Sequence, residues 1–200
     1  MAAATILVAG CRYTLPDPND PRDMGPMTIQ EAQARLRQTS DMLNERQEMG
    51  DIDAAEARRR IGLKAREILP FIDSIEFSNS TAYEYGQFFA DAELWDQALA
   101  AFDKAMPATK EPGRLVNLHL KHALCLAKLG KVPEALQEVR DTFGEPDFAV
   151  AGVLPAVLFE IVPTAKGKAL PEELAVLLRQ AIEVHRRTQV DPRTDAGRAF

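Results

Sequence analysis

Two pairs of small residues, Gly86/Ala98 and Ala123/Ala135, are each twelve residues apart. Bulky neighbours recur around both pairs: Tyr85, Phe89 and Phe102 in the first copy, Leu126 and Val139 in the second. Small side chains are needed where two helices cross closely, and the large residues beside them fill the space between one helical pair and the next. Two helices that carry such a pair can cross closely, and the repeated interval points to two copies of one helical unit. Composition agrees, because Ala, Leu, Glu, Gln and Arg, all strong helix formers, dominate while aromatic residues make up only 6%. The expected fold class is all-α.

The spacing carries a family resemblance. Ala82, Tyr85, Gly86 and Phe89 fall at the positions of the first-helix signature of the tetratricopeptide repeat (TPR). Trp95 stands at the aromatic position that opens its second helix, Ala98 and Phe102 form its Ala-x-x-x-Phe pair, and Ala105 is the small residue that follows. In a second copy Leu126, Gly130, Ala135 and Val139 occupy matching positions, with Pro133 in the first turn of the second helix, where its missing N–H costs nothing. Residues 79–112 and 116–149 therefore resemble two such repeats, offset by 37 residues where about 34 is usual. The surplus is expected in the connection from Pro107 to Gly113.

The resemblance implies a short TPR-like α-solenoid that works as a non-enzymatic scaffold or adaptor for protein partners. It also implies a groove lined by the first helix of each hairpin. By position, the protein-binding groove residues are Tyr83, Gln87, Ala90 and Asp91 in the first copy, and Asn117, Leu120, Lys121, Leu124 and Lys128 in the second. Some members of the family clamp a terminal carboxylate with paired Lys and Asn. Here Tyr83/Gln87 and Leu120/Leu124 stand at those places, so the resemblance implies a mixed apolar and polar peptide or helix as ligand instead.

Two hairpins leave their outer faces uncovered, and about three are needed for a stable stack. Flanking hairpins are expected at 28–69 and 150–188, giving a helical domain over 28–190. Thr28 and Glu31 have the capping-box spacing, Gly50 ends the first helix, and Asp51 caps a second that Pro70 stops. A C-terminal pair follows, 150–162 closed by Pro163 and a last helix opened by Pro171. The polar tail 191–200 is expected to be disordered.

Ahead of the helices, Leu7-Val8-Ala9-Gly10-Cys11 resembles the lipobox of bacterial lipoproteins, in which the cysteine is lipidated. Residues 1–11 then read as the remnant of a signal, and Pro16, Pro18, Pro21 and Pro26 make 12–27 an extended linker. Such a signal usually starts with positive charge, which is missing between Met1 and Cys11. The resemblance implies a tether to the bacterial cell envelope, facing the periplasm, with the membrane contacted through the lipid anchor only. The alternative is a cytoplasmic TPR adaptor or secretion chaperone in which Cys11 is an incidental thiol.

Other classes find less support. A net charge of −6 argues against nucleic-acid binding, which needs clustered Lys and Arg. Cys11 and Cys125 are too far apart in sequence for a spaced metal motif. His119, His122 and Cys125 are three residues apart on one helix, a spacing that swings successive side chains around the axis, so convergence on a metal is poor. A metal-dependent activity at His119 and His122 is the least supported alternative. Neither a phosphate loop nor a recognisable nucleophile motif is present, so no catalytic residue, metal ligand or cofactor is assigned. The run Arg58-Arg59-Arg60 with Lys64 and Arg66 reads as a solvated helix face paired with Glu56 and Glu67.

Overall fold

A computed structural model describes residues 24–73 and 77–188. Cys11, most of the 12–27 linker and the 191–200 tail lie outside the described residues. Helices α1 (Ile29–Glu48) and α2 (Ala54–Ile68) form the first hairpin, α3 (Ala82–Asp91) and α4 (Trp95–Ala105) the second, α5 (Pro112–Lys128) and α6 (Val132–Asp141) the third. The chain then forms a continuous rod from α7 (Val153–Ala156) through a π-helical segment (Val157–Ile161) into α8 (Val162–Ala165). It closes with α9 (Pro171–Thr188). The fold is all-α.

The same turn closes each of the first three hairpins. At α1 the N–H of Gly50 bonds the Gln47 carbonyl and that of Asp51 bonds the Arg46 carbonyl. Gly130 and Lys131 repeat this pattern on Ala127 and Leu126, and Glu93 and Leu94 repeat it on Ala90 and Phe89. This is a Schellman closure, which needs a left-handed residue. Gly50 and Gly130 supply it at φ +81 and +83, whereas Glu93 adopts φ +59 despite its side chain. A non-glycine residue there carries a strain of about 1–2 kcal/mol.

Helix starts follow the capping chemistry with two revisions. The Thr28/Glu31 capping box forms in both directions. The cap of α2 is Asp53 instead of Asp51: its carboxylate accepts from the Glu56 N–H at 2.7 Å. Asp51 is already committed as the residue after the turn, and its backbone N–H closes α1. Pro112 opens α5 instead of lying in a connection, with Glu111 as its N-cap accepting from Gly113 and Arg114. A proline is well placed in a first turn, so the surplus between the two repeats lengthens the first helix of the third hairpin.

Pro163 likewise does not close its helix. It sits within α8, directly after the π-helical segment, whose widened ring carries the Val162 N–H to the Val157 carbonyl. A proline in a helix lacks a donor and collides with the carbonyl four residues back. A π turn just before it moves that carbonyl aside and lets the rod continue.

Burial divides between two clusters. The first gathers Ile29, Leu36, Ile68, Phe88, Phe89 and Phe102 from the first two hairpins, and the second gathers Val116, Leu136, Val139, Val157, Ile161 and Leu177. Helix α5 joins them, giving Leu118 and Cys125 to the first and Leu120, Ala123 and Leu126 to the second. Met24 and Met27 are also buried in the first cluster. The Met27 N–H bonds the Phe71 carbonyl and its own carbonyl accepts from Asp73, so the end of the 12–27 segment is packed.

Gly86 explains the close approach of α3 and α4. A Cβ there would lie 2.4 Å and 2.5 Å from ring carbons of Phe102, which is fully buried. The glycine therefore makes room for the Phe102 ring as well as for the nearby helix.

Candidate functional site

The first helices of successive hairpins lie side by side: α1 contacts α3, α3 contacts α5, and α5 contacts the α7–α8 rod. Between them runs a groove of three connected depressions that share Lys121. The largest two have volumes of about 430 Å³, within the range of sites that seat a ligand group.

Most of the positions singled out by repeat register line this groove. Gln87, Ala90 and Asp91 face it from α3, and Asn117, Leu120, Lys121, Leu124 and Lys128 face it from α5. Tyr83 is placed differently, in a neighbouring depression with Arg114 and Lys110. Its hydroxyl accepts from Gln87 Nε2 at 2.9 Å and from Asn117 Nδ2 at 3.0 Å, and the Arg114 guanidinium lies 4.8 Å from the ring centre. Burial pushes its phenol up, opposed by Arg114. Tyr83 thus joins α3 to α5.

The groove also takes residues that register alone does not indicate. Arg37 comes from α1, Arg58 and Ile61 from α2, and Trp95 from the start of α4. Phe159, Glu160 and Pro163 come from the rod. Phe159 is 67% exposed, although a phenylalanine is normally among the more buried residue types. A signal was available in Phe159 itself, a large apolar residue beside Glu160. Its direction, however, depends on the π-helical segment that contains it.

Electrostatics in the groove are mixed. Lys121 Nζ lies 4.0 Å from Glu160, and Lys128 Nζ sits 5.4 Å over the Trp95 ring. Glu93 is bound from outside the groove by Arg66, whose Nε also donates to the Ala92 carbonyl. Asp91 is open to solvent, yet the groove walls displace enough water to push its carboxyl up to about 6, with Lys121 opposing.

The Arg58-Arg59-Arg60 run divides by helical rotation. Arg59 and Arg60 both hold Glu56, which is lowered to about 2 by the hydrogen bonds of Arg59 first and then Arg60. Arg58 points the other way and enters the groove.

The histidines lie away from it. His119 Nδ1 donates to Glu138 Oε1 at 2.5 Å and His122 Nε2 meets Asp103 Oδ1 at 3.1 Å. His122 Nδ1 is 3.3 Å from Glu138, outside hydrogen-bond alignment. Two residues of α5 are thereby tied to α4 on one side and α6 on the other. Cys125 is fully buried, and burial pushes its thiol up to about 12, which leaves it in its unreactive form. Among the described residues no group of three or more His, Cys, Asp or Glu side chains is arranged to hold a metal. Among the same residues no helix is long and apolar enough to cross a membrane.

No family model matches the chain, and no curated protein does. Among solved structures, the crystal structure of YrrB, a TPR protein with an unusual peptide-binding site, is similar at 17% identity over 74% of this chain and 85% of that one, with a TM-score of 0.27. A superposition at that score transfers no site or ligand to this chain. The architecture is established by the hairpins themselves: shared Schellman turns, the Gly86–Phe102 approach and side-by-side first helices make this an all-α stack of antiparallel helical hairpins, the arrangement expected from the repeat register.

Proposed function

We propose that this chain is a non-enzymatic adaptor that holds a segment of a partner protein in the groove between its first helices. The observation that carries the reading is the groove's continuity across α1, α3, α5 and the α7–α8 rod, with apolar and charged side chains interleaved along it. Such a surface suits a peptide or helix whose side chains alternate in character.

Photo-crosslinking tests it. A benzophenone amino acid at Ala90 or Leu124, in the groove, is expected to give partner adducts in cells. The same group at Leu63 or Val176, both exposed and outside the groove, is expected to give none. Adducts from the outer positions alone, or from no position, would remove the groove as the binding surface.

We also propose that Cys11 carries a lipid that tethers the adaptor to the bacterial envelope with the helical domain facing the periplasm. Support comes from the Leu7-Val8-Ala9-Gly10-Cys11 sequence. Mass spectrometry of the membrane fraction is expected to find Cys11 acylated. An unmodified Cys11 in a soluble protein would instead favour the cytoplasmic adaptor or secretion chaperone.

A further inference from the structure

We propose that the groove selects an acidic partner segment carrying one large apolar side chain. This inference rests on the groove being the binding surface and adds the chemistry of its occupant. The chain as a whole carries a net charge of −6, yet the groove reverses that balance. Arg37, Arg58, Lys121 and Lys128 face three carboxylates, those of Asp91, Glu93 and Glu160.

The carboxylates are also the better neutralised side. Glu93 is held by Arg66 from outside the groove, and Glu160 is offset by Lys121. Asp91, pushed up to about 6, is the carboxylate that most readily gives up its charge. By contrast, Arg37, Arg58 and Lys128 have no carboxylate within ion-pair distance among the described residues. Arg58 Nε donates only to the backbone carbonyl of Ala54, and Lys128 rests on the Trp95 ring. Cations left without an anion along a groove attract and orient an acidic ligand.

The apolar requirement comes from the same depression. Ile61, Trp95, Leu124, Phe159 and Pro163 line one space of about 430 Å³, and Phe159, which also borders the adjoining depression, is 67% exposed overall. Arg58 and Lys128 stand in the wall of this apolar seat. A large apolar side chain flanked by Asp or Glu satisfies both at once. A nucleic-acid strand fits less well, because three carboxylates stand among the cations and phosphate binding needs a clear cationic surplus.

The test uses the full chain and labelled peptides of about twelve residues, read by fluorescence anisotropy. One peptide places Phe-Leu between Asp and Glu residues, a second replaces the acids with Lys, and a third replaces Phe-Leu with Ala-Ala. The first is expected to bind, and each change to weaken it by about tenfold or more. Raising salt should weaken it further. Lys128→Glu and Phe159→Ala are expected to lower affinity for the first peptide by a similar factor. Both residues are exposed, so circular dichroism should show an unchanged fold. Equal binding of the Lys peptide, no binding of any peptide, unaffected variants, or displacement by a single-stranded oligonucleotide would overturn the inference. Failure here separates from failure of the adaptor reading. If Leu124 still crosslinks a partner whose captured segment is basic or polar, the groove stands and only the acidic selectivity falls.

Discussion

Phe102→Ala is expected to destabilise the protein by about 3–5 kcal/mol, and Gly86→Ala by about 1–3 kcal/mol. Phe102 is fully buried at the centre of the second hairpin, with its ring centre 6.2 Å from that of Tyr83. Removing the ring leaves a cavity between α3 and α4. The glycine change has two opposing terms. Alanine improves helix propensity by about 0.5–1 kcal/mol, but its methyl would lie 2.4 Å from the Phe102 ring, and a buried ring cannot swing aside. Overpacking wins in the native background. With Phe102→Ala already in place the clash is gone, so Gly86→Ala should become neutral or stabilising by up to about 1 kcal/mol. Urea unfolding of the two single variants and the double variant measures this sign reversal. Additive effects would show that the ring is not what excludes a side chain at position 86.

Glu138→Gln is expected to cost about 1–3 kcal/mol near pH 5.5 and less on either side of it. Burial raises the Glu138 carboxyl, but the contacts of His119 and then His122 more than offset this and hold it down at about 2. Its ordinary value is 4.5, so its stabilising contribution is complete above 4.5 and is lost as the pH falls towards 2. His119 runs the other way. The Glu138 hydrogen bond raises it above its ordinary 6.5, so its contribution is complete below 6.5 and fades as the pH rises through the raised value. Both contributions are present together between 4.5 and 6.5. Unfolding at about pH 3, 5.5 and 8 should therefore show the largest gap between wild type and variant at the middle value. An identical gap at all three would mean that the carboxylate–histidine pairing does not hold α5 to α6.

Local chemistry made much of the fold legible. The Thr28/Glu31 box, the prolines at helix starts and the glycines after helix ends act within a few residues, so their spacing alone places boundaries. The twelve-residue register of Gly86/Ala98 and Ala123/Ala135 likewise carries the hairpin pairing, because crossing helices impose small residues at fixed intervals. The boundaries misread from sequence have local causes too, at Asp51 against Asp53, at Pro112 and at Pro163. In each, two arrangements satisfy the same capping or proline rule, and the surrounding packing selects one.

The groove was legible only where it belongs to the repeat register. Gln87, Ala90, Asp91, Leu124 and Lys128 follow from which face of a first helix looks inward. Arg37, Arg58, Trp95 and Phe159 come from helices whose orientation is decided by stacking, and Tyr83 looked like a groove residue until its hydroxyl was drawn between Gln87 and Asn117.

By itself, the sequence determined that the chain is helical, where its hairpins turn, and that small residues set their crossing, since each depends on contacts a few residues to a dozen apart. Only the tertiary structure decided what else stands in the groove. It brought Arg58 and Phe159 into one depression with Leu124 and Trp95. It also placed His119 and His122 between α4 and α6. Those partners are 19 or more residues apart in the chain, and the rotation of each helix on the next, which no short-range rule encodes, fixes whether they meet.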